Sequence, residues 1–119
     1  MNTKEYRKNG VAVVRILEEG VIIDCVQDFL DIVSDVCTKK IILNKENICD
    51  DFYDLHTGFA GEILQKAGNY RLSLGIVGDF SNLESKSLRD FIYESNENRQ
   101  IVFKKTVEEI VKIFCVRKD

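Results

Sequence analysis

Residues 4–17, KEYRKNGVAVVRIL, hold two strand-forming runs on either side of Asn9-Gly10. Asn-Gly readily adopts the pair of left-handed conformations of a two-residue hairpin turn, because glycine has no Cβ and asparagine tolerates positive φ. The charged run at residues 4–8 therefore reads as an edge strand, and the apolar Val11 to Leu17 as an inner one.

Beyond Gly20 the apolar spacing changes. Val26, Phe29, Leu30, Val33 and Cys37 recur at helical intervals, with Asp24 placed to cap and Gln27 three residues on. Ile41-Ile42-Leu43 is a short continuous apolar run, which predicts a central strand covered on both faces. Asn44 to His56 is polar and acidic, with Asp50, Asp51 and Asp54 around Phe52 and Tyr53, and reads as a loop with a short turn of helix. A second helix should bury Phe59 or Ala60, Ile63, Leu64 and Ala67 and stop at Gly68-Asn69. Leu72 to Val77 is the next strand, broken by Gly78-Asp79. Ser81 and Glu84 have capping-box spacing ahead of Leu88, Phe91 and Ile92, and Ser85 or Ser87 offers a later start. Gln100 to Phe103 is the last strand, and Thr106 with Glu109 caps a final helix through Val107, Ile110, Val111 and Phe114.

The order is ββαβαβαβα. Strand-helix-strand crossovers are right-handed and parallel, so the expected fold is α/β: a single, mostly parallel (mixed) sheet with one antiparallel pair in the leading hairpin. At 119 residues and 45% hydrophobic content, one domain over residues 1–119 is expected.

Charge and composition narrow the partners. The net charge is −3 with acids and bases interspersed, unlike the concentrated positive face that nucleic acid requires. The longest apolar run, Val11 to Val14, is far short of the ~20 residues of a membrane span, and no signal-peptide core is seen, so a cytoplasmic protein is expected. Cys25, Cys37, Cys49 and Cys115 are scattered, and His56 is the only histidine. No zinc spacing results, no metal or cofactor is expected, and Cys25, Cys37 and Cys115 read as small buried hydrophobes in the reduced state.

Asp54 to Gly61 places a hydroxyl beside a glycine where a helix should begin. An exposed Thr57 there would hold its oxygen over free backbone N–H groups, a position that favours negative charge, so Thr57 is a candidate phosphoacceptor. Its alternative role is to cap the helix, with Gly58 and Gly61 allowing close packing.

The strand and helix order, Thr57-Gly58 opening a helix after a buried strand, and Gln100 to Phe103 leading into a capped helix together resemble the STAS domain of bacterial anti-sigma-factor antagonists. That resemblance implies a regulatory protein-interaction module in which the Thr57 position is phosphorylated by a partner kinase, with a kinase or an anti-sigma-like regulator as partner. Asp54 to Tyr70 (DLHTGFAGEILQKAGNY), Gly75 to Ser81 (GIVGDFS) and Ser85 to Asn96 (SKSLRDFIYESN) are similar to a small bacterial family described as a domain of unknown function, number 4180. This second resemblance implies no activity.

The loop Gly78-Asp79-Phe80-Ser81 presents a carboxylate ahead of Lys86 and Arg89. Asp79 reads as a turn residue or a partner contact, and Lys86 and Arg89 as solvated charges or as a recognition pair for phosphate or acidic groups. The expected interaction surface thus combines Asp54, His56, Gly58, Asp79, Ser81, Lys86 and Arg89 around Thr57. No catalytic constellation emerges. Nothing orients His56 as a base toward Cys49, the acids of residues 50–54 lack calcium-loop spacing, and the glycines at 58 and 61 are too few for a dinucleotide loop. Two alternatives stand: a small-ligand site or enzyme built from Asp54, His56, Asp79 and Arg89, and a structural subunit that forms a homodimer through the open edge of the first strand.

Overall fold

Asn9 and Gly10 have φ of 54° and 76°, the left-handed pair of a tight hairpin turn. They join β1 (Thr3–Lys8) and β2 (Val11–Ile16), which run antiparallel with Lys8 opposite Val11. The computed structural model describes residues 1–36 and 38–116. Beyond the hairpin come β3 (Lys40–Asn44), β4 (Ser73–Val77) and β5 (Ile101–Lys104), each parallel to its predecessor. The sheet order is the chain order, β1-β2-β3-β4-β5. Ile41-Ile42-Leu43 is therefore central, as its apolar run predicts.

Crossovers of one hand that advance in one direction put their helices on one face. Accordingly α1 (Val26–Asp35), α3 (Phe59–Asn69) and α4 (Lys86–Asn98) pack against Val14, Ile16, Ile41, Leu43, Leu74, Ile76, Ile101 and Phe103. A four-residue helix, α2 (Asp50–Tyr53), adds fully buried Phe52 to that core. On the other face α5 (Val107–Phe114) lies over Val13, Ile42 and Val102. The alternation of Ile41, Ile42 and Leu43 between the two cores is the period-two pleat of a strand buried on both sides. α5 sits very close to the sheet: a Cβ on Gly75 would stand 2.5 Å from Cγ2 of Ile110.

Several local expectations change. Asp24 does not cap α1; the position belongs to Cys25, which makes no side-chain cap bond, while the Asp24 N–H donates to the Asp28 carboxylate at 2.9 Å. Cys25 is exposed because that cap lies outside the first buried turn, whereas Cys115 is buried and Cys37 lies outside the described residues. α3 continues through Gly68 and Asn69, and the left-handed residue after it is Arg71, with φ of 56°. Ser81 and Glu84 form no capping box; Ser85 caps α4, its Oγ accepting from the Leu88 N–H at 3.2 Å. Thr106 does cap α5, accepting from the Glu109 N–H at 3.3 Å, and its hydroxyl donates to the Glu109 carboxylate at 3.2 Å. Among the described residues no helix is long and apolar enough to cross a membrane.

Candidate functional site

The candidate residues gather where strands run into loops, at the carboxyl ends of β2, β3 and β4. The segment after β3 is organised by one side chain. Fully buried Asn47, in the 3-10 turn Lys45–Asn47, donates through Nδ2 to the carbonyls of Glu18 and Gly20, both at 2.9 Å. Its Oδ1 accepts from the Asn44 N–H at 2.8 Å, and its backbone carbonyl accepts from Ile22 and Ile23. Three otherwise unpaired backbone groups of two loops are thereby satisfied by one amide. The loop after β2 is tied to the loop after β3.

Lys45 crosses the end of β4. Its ammonium donates to the Asp79 carbonyl at 3.0 Å and lies 5.0 Å from the centre of the Phe80 ring. The path requires glycine at 78, since a Cβ there would come within 2.6 Å of the Lys45 Cβ. Tyr53, at the end of α2, donates its hydroxyl to the Lys45 carbonyl at 2.8 Å. Burial raises the Tyr53 phenol well above its usual pKa, so it remains a neutral donor. An open cleft of about 700 Å³ results, walled by Gly20, Val21, Asn44, Lys45, Tyr53 and Asp79 among others.

A second groove, of about 540 Å³, lies on the other side of Tyr53 and is lined by Tyr53, Asp54, Leu55, His56, Ser85 and Ser87. Asp54 and His56 enter it through the 3-10 turn Leu55–Thr57, in which the Asp54 carboxylate accepts from the His56 N–H at 3.1 Å. Tyr53 is the wall common to both depressions.

Thr57 lines neither depression. It is exposed, but its hydroxyl is engaged: the carbonyls of Asp51 and Asp54 lie at 2.7 and 2.9 Å, and the oxygen accepts from the Phe59 N–H at 3.2 Å. One hydroxyl proton serves one of those carbonyls at a time. The cap of α3 is Gly58, whose φ of 77° turns the chain into the helix, so Thr57 stands one position before the cap.

Asp79 forms a local turn. Its carboxylate accepts from the hydroxyl and the N–H of Ser81, and these bonds, the hydroxyl first, hold its pKa below the usual carboxylate range. Lys86 pairs with Asp90 at 2.9 Å on the exposed side of α4. Arg89 donates to the carbonyls of Leu83 and Glu84 at 2.6 and 3.1 Å and so braces the loop before α4.

Asp54 and His56 thus share one groove and Asp79 lines the neighbouring one, while Arg89 lines neither. The four do not form a single pocket. Burial raises the Cys49 pKa, the reverse of what an activated thiolate needs. Among the described residues no three His, Cys, Asp or Glu side chains gather as a metal site.

Asn47, Lys45, Tyr53, Ser85 and Ser87 complete the face and lie outside the interaction surface expected from sequence. The Asn44-x-x-Asn47 spacing is a reciprocal-cap signal of the kind read at Thr106 and Glu109, and it marks Asn47. Nothing local marks Lys45, whose role depends on a glycine 33 positions further along the chain.

No curated protein and no solved structure matches this chain. A family described as "Domain of unknown function (DUF4180)" matches residues 8–113, nearly the whole chain, including all five strands in whole or in part and the complete candidate face. The chain belongs to that family.

Proposed function

We propose that the chain is a cytoplasmic, STAS-like protein-interaction module that docks a partner across the two adjoining depressions at the carboxyl end of its sheet. The observation that carries this reading is the shared Tyr53 wall. It joins the Asp54, His56, Ser85 and Ser87 groove to the Lys45 and Asp79 cleft in one open face built from three loops. Glu46, Asp50, Asp54 and Asp79 outnumber Lys45 and His56 along it, so the fitting partner presents Lys or Arg.

Thr57 supplies the switch. Phosphorylation removes its hydroxyl proton, and with it the bond to the Asp51 or Asp54 carbonyl, and sets about two negative charges beside Asp51 and Asp54. The turn that presents Asp54 and His56 then rearranges and the face is lost, so a partner kinase turns binding off.

Affinity capture from the native cells tests both parts. Ser87→Arg should lose partners that wild type and Thr57→Ser retain, and Thr57→Glu should lose the same ones. Identical partner sets for Ser87→Arg and wild type would remove the docking face; mass spectrometry that finds no phosphate on Thr57 would remove the switch. A second reading, a small-ligand site, is favoured by the cleft volume of about 700 Å³, within the usual range for ligand sites. A metabolite that raises the melting temperature of wild type but not of Val21→Arg would support it.

A further inference from the structure

The two margins of the sheet are finished differently. At β5, α4 packs alongside and the Asn96 side chain accepts from the Phe103 N–H at 2.7 Å. Among the described residues β1 has no such cover. The bond from the Leu17 N–H to the Asn2 carbonyl, at 2.8 Å, continues the β1–β2 register and sets its phase. Lys4, Tyr6 and Lys8 turn their backbone groups toward β2, and Thr3, Glu5 and Arg7 turn theirs outward. Beside this edge, between β1 and the end of α1, is a groove of about 410 Å³ lined by Met1, Thr3, Glu5, Val14, Asp35 and Val36. It has two carboxylates and an apolar floor, and no Lys or Arg side chain lines it.

The matching cation is on the same strand. Arg7 is 63% exposed, and its contact with Glu5 in its own chain is a long 3.5 Å. We propose that a second copy of this chain pairs antiparallel along β1 about a twofold axis at Tyr6, with Glu5 of each copy opposite Arg7 of the other. The symmetry makes two such pairs, and each Arg7 enters a groove where Glu5 and Asp35 stand together. Side chains directly opposite in a pair point to the same face, so Arg7 arrives on the side where that groove lies. The two neighbouring registers set Glu5 against Glu5 or Arg7 against Arg7, and each forfeits both pairs. Lys4 and Lys8 stand opposite each other on the far side, a like-charge cost that solvent screens because both are exposed, and Lys4 already lies 5.1 Å from the Tyr6 ring centre.

A charged edge ordinarily keeps strands apart. Here acid and base occupy successive outward positions, which makes the edge complementary to itself in the antiparallel sense. The product is a ten-stranded continuous sheet with its two carboxyl-end faces free. This dimer stands independently of what docks there.

Sedimentation velocity on the full chain across the micromolar range, at low salt, tests the pairing. Wild type is expected to dimerise. Glu5→Arg and Arg7→Glu should each weaken the dimer by at least about tenfold, because each turns two attractive pairs repulsive. The double exchange, Glu5→Arg with Arg7→Glu, restores both pairs and should recover the wild-type dimer, and equal mixing of the two single variants should give a heterodimer. Since the double variant contains both changes, its recovery also shows that neither disrupts the fold. Wild type that stays monomeric throughout the range, a double exchange as weak as the singles, or an Arg7→Glu protein that dimerises like wild type would each overturn the proposal.

Discussion

Replacing Asn47 by alanine removes three hydrogen bonds at once: two to the Glu18 and Gly20 carbonyls and one from the Asn44 N–H. Each is worth about 1 kcal/mol net, so the variant should lose about 3 kcal/mol. That is a large share of the ~5–15 kcal/mol that holds a domain together, and it corresponds to a drop of roughly 12 °C in melting temperature. Asn47→Asp should do worse despite its near-identical shape, because a carboxylate turns an oxygen toward two carbonyls where Nδ2 donated to both. It should regain part of the loss in acid, where a protonated carboxyl can donate once. Urea unfolding followed by circular dichroism gives the ordering directly, and amide exchange at Ile22 and Ile23 should accelerate in both variants. A loss below about 1 kcal/mol for alanine, or an aspartate variant more stable than the alanine one, would refute the assignment of Asn47 as the tie between the two loops.

Gly75→Ala should destabilise by about 1–3 kcal/mol in the same assay, because its Cβ meets Ile110 at 2.5 Å and Phe114 beyond it; adding Ile110→Ala should cost less than the sum of the two single changes. Tyr53 has a raised pKa in the folded chain, so its contribution is intact below the ordinary phenol value of about 10 and is lost as pH rises above it. In an alkaline absorbance titration one of the four tyrosines should ionise only as the chain unfolds, and Tyr53→Phe should abolish that lag. Asp79 has a lowered folded pKa, so its contribution is present above the usual carboxylate range and disappears as pH falls through the lower folded value. Ser81→Ala should move the Asp79 titration, followed by carboxyl NMR, back toward that range.

Most of the architecture was legible because local chemistry and global fold agree. Asn9-Gly10 can make a tight hairpin without strain, Thr106 has its partner three residues on, and Ile41-Ile42-Leu43 has no polar face to leave in water. Sequence and structure part where one local contact displaces another. Asp24 has a good capping side chain, but its own N–H is taken by Asp28. Gly68-Asn69 is a sound stop signal, yet the helix continues and the Leu72 N–H bonds back to the Ala67 carbonyl, which moves the left-handed turn to Arg71. Within the candidate face, the proximity of Asp54 to His56 follows from two positions of sequence separation. Their meeting with Ser85 and Ser87, and the separation of both from Asp79 by Tyr53, depend on how strands separated by whole helices line up. No local pattern encodes that.

The identity of sheet order and chain order bears on how the molecule assembles. Each parallel strand joins the one made just before it, so every crossover closes a loop of one or two helices and their turns and never has to wait for a distant segment. During synthesis the sheet can therefore grow strand by strand from the hairpin. α5 is the exception in both position and timing. It follows β5, it reaches back over β2, β3 and β4, and until it docks Val13, Ile42 and Val102 lack the helix that covers them. A nascent chain that has completed β5 but not α5 exposes a bare apolar sheet surface, which is the interval in which aggregation competes most strongly with folding.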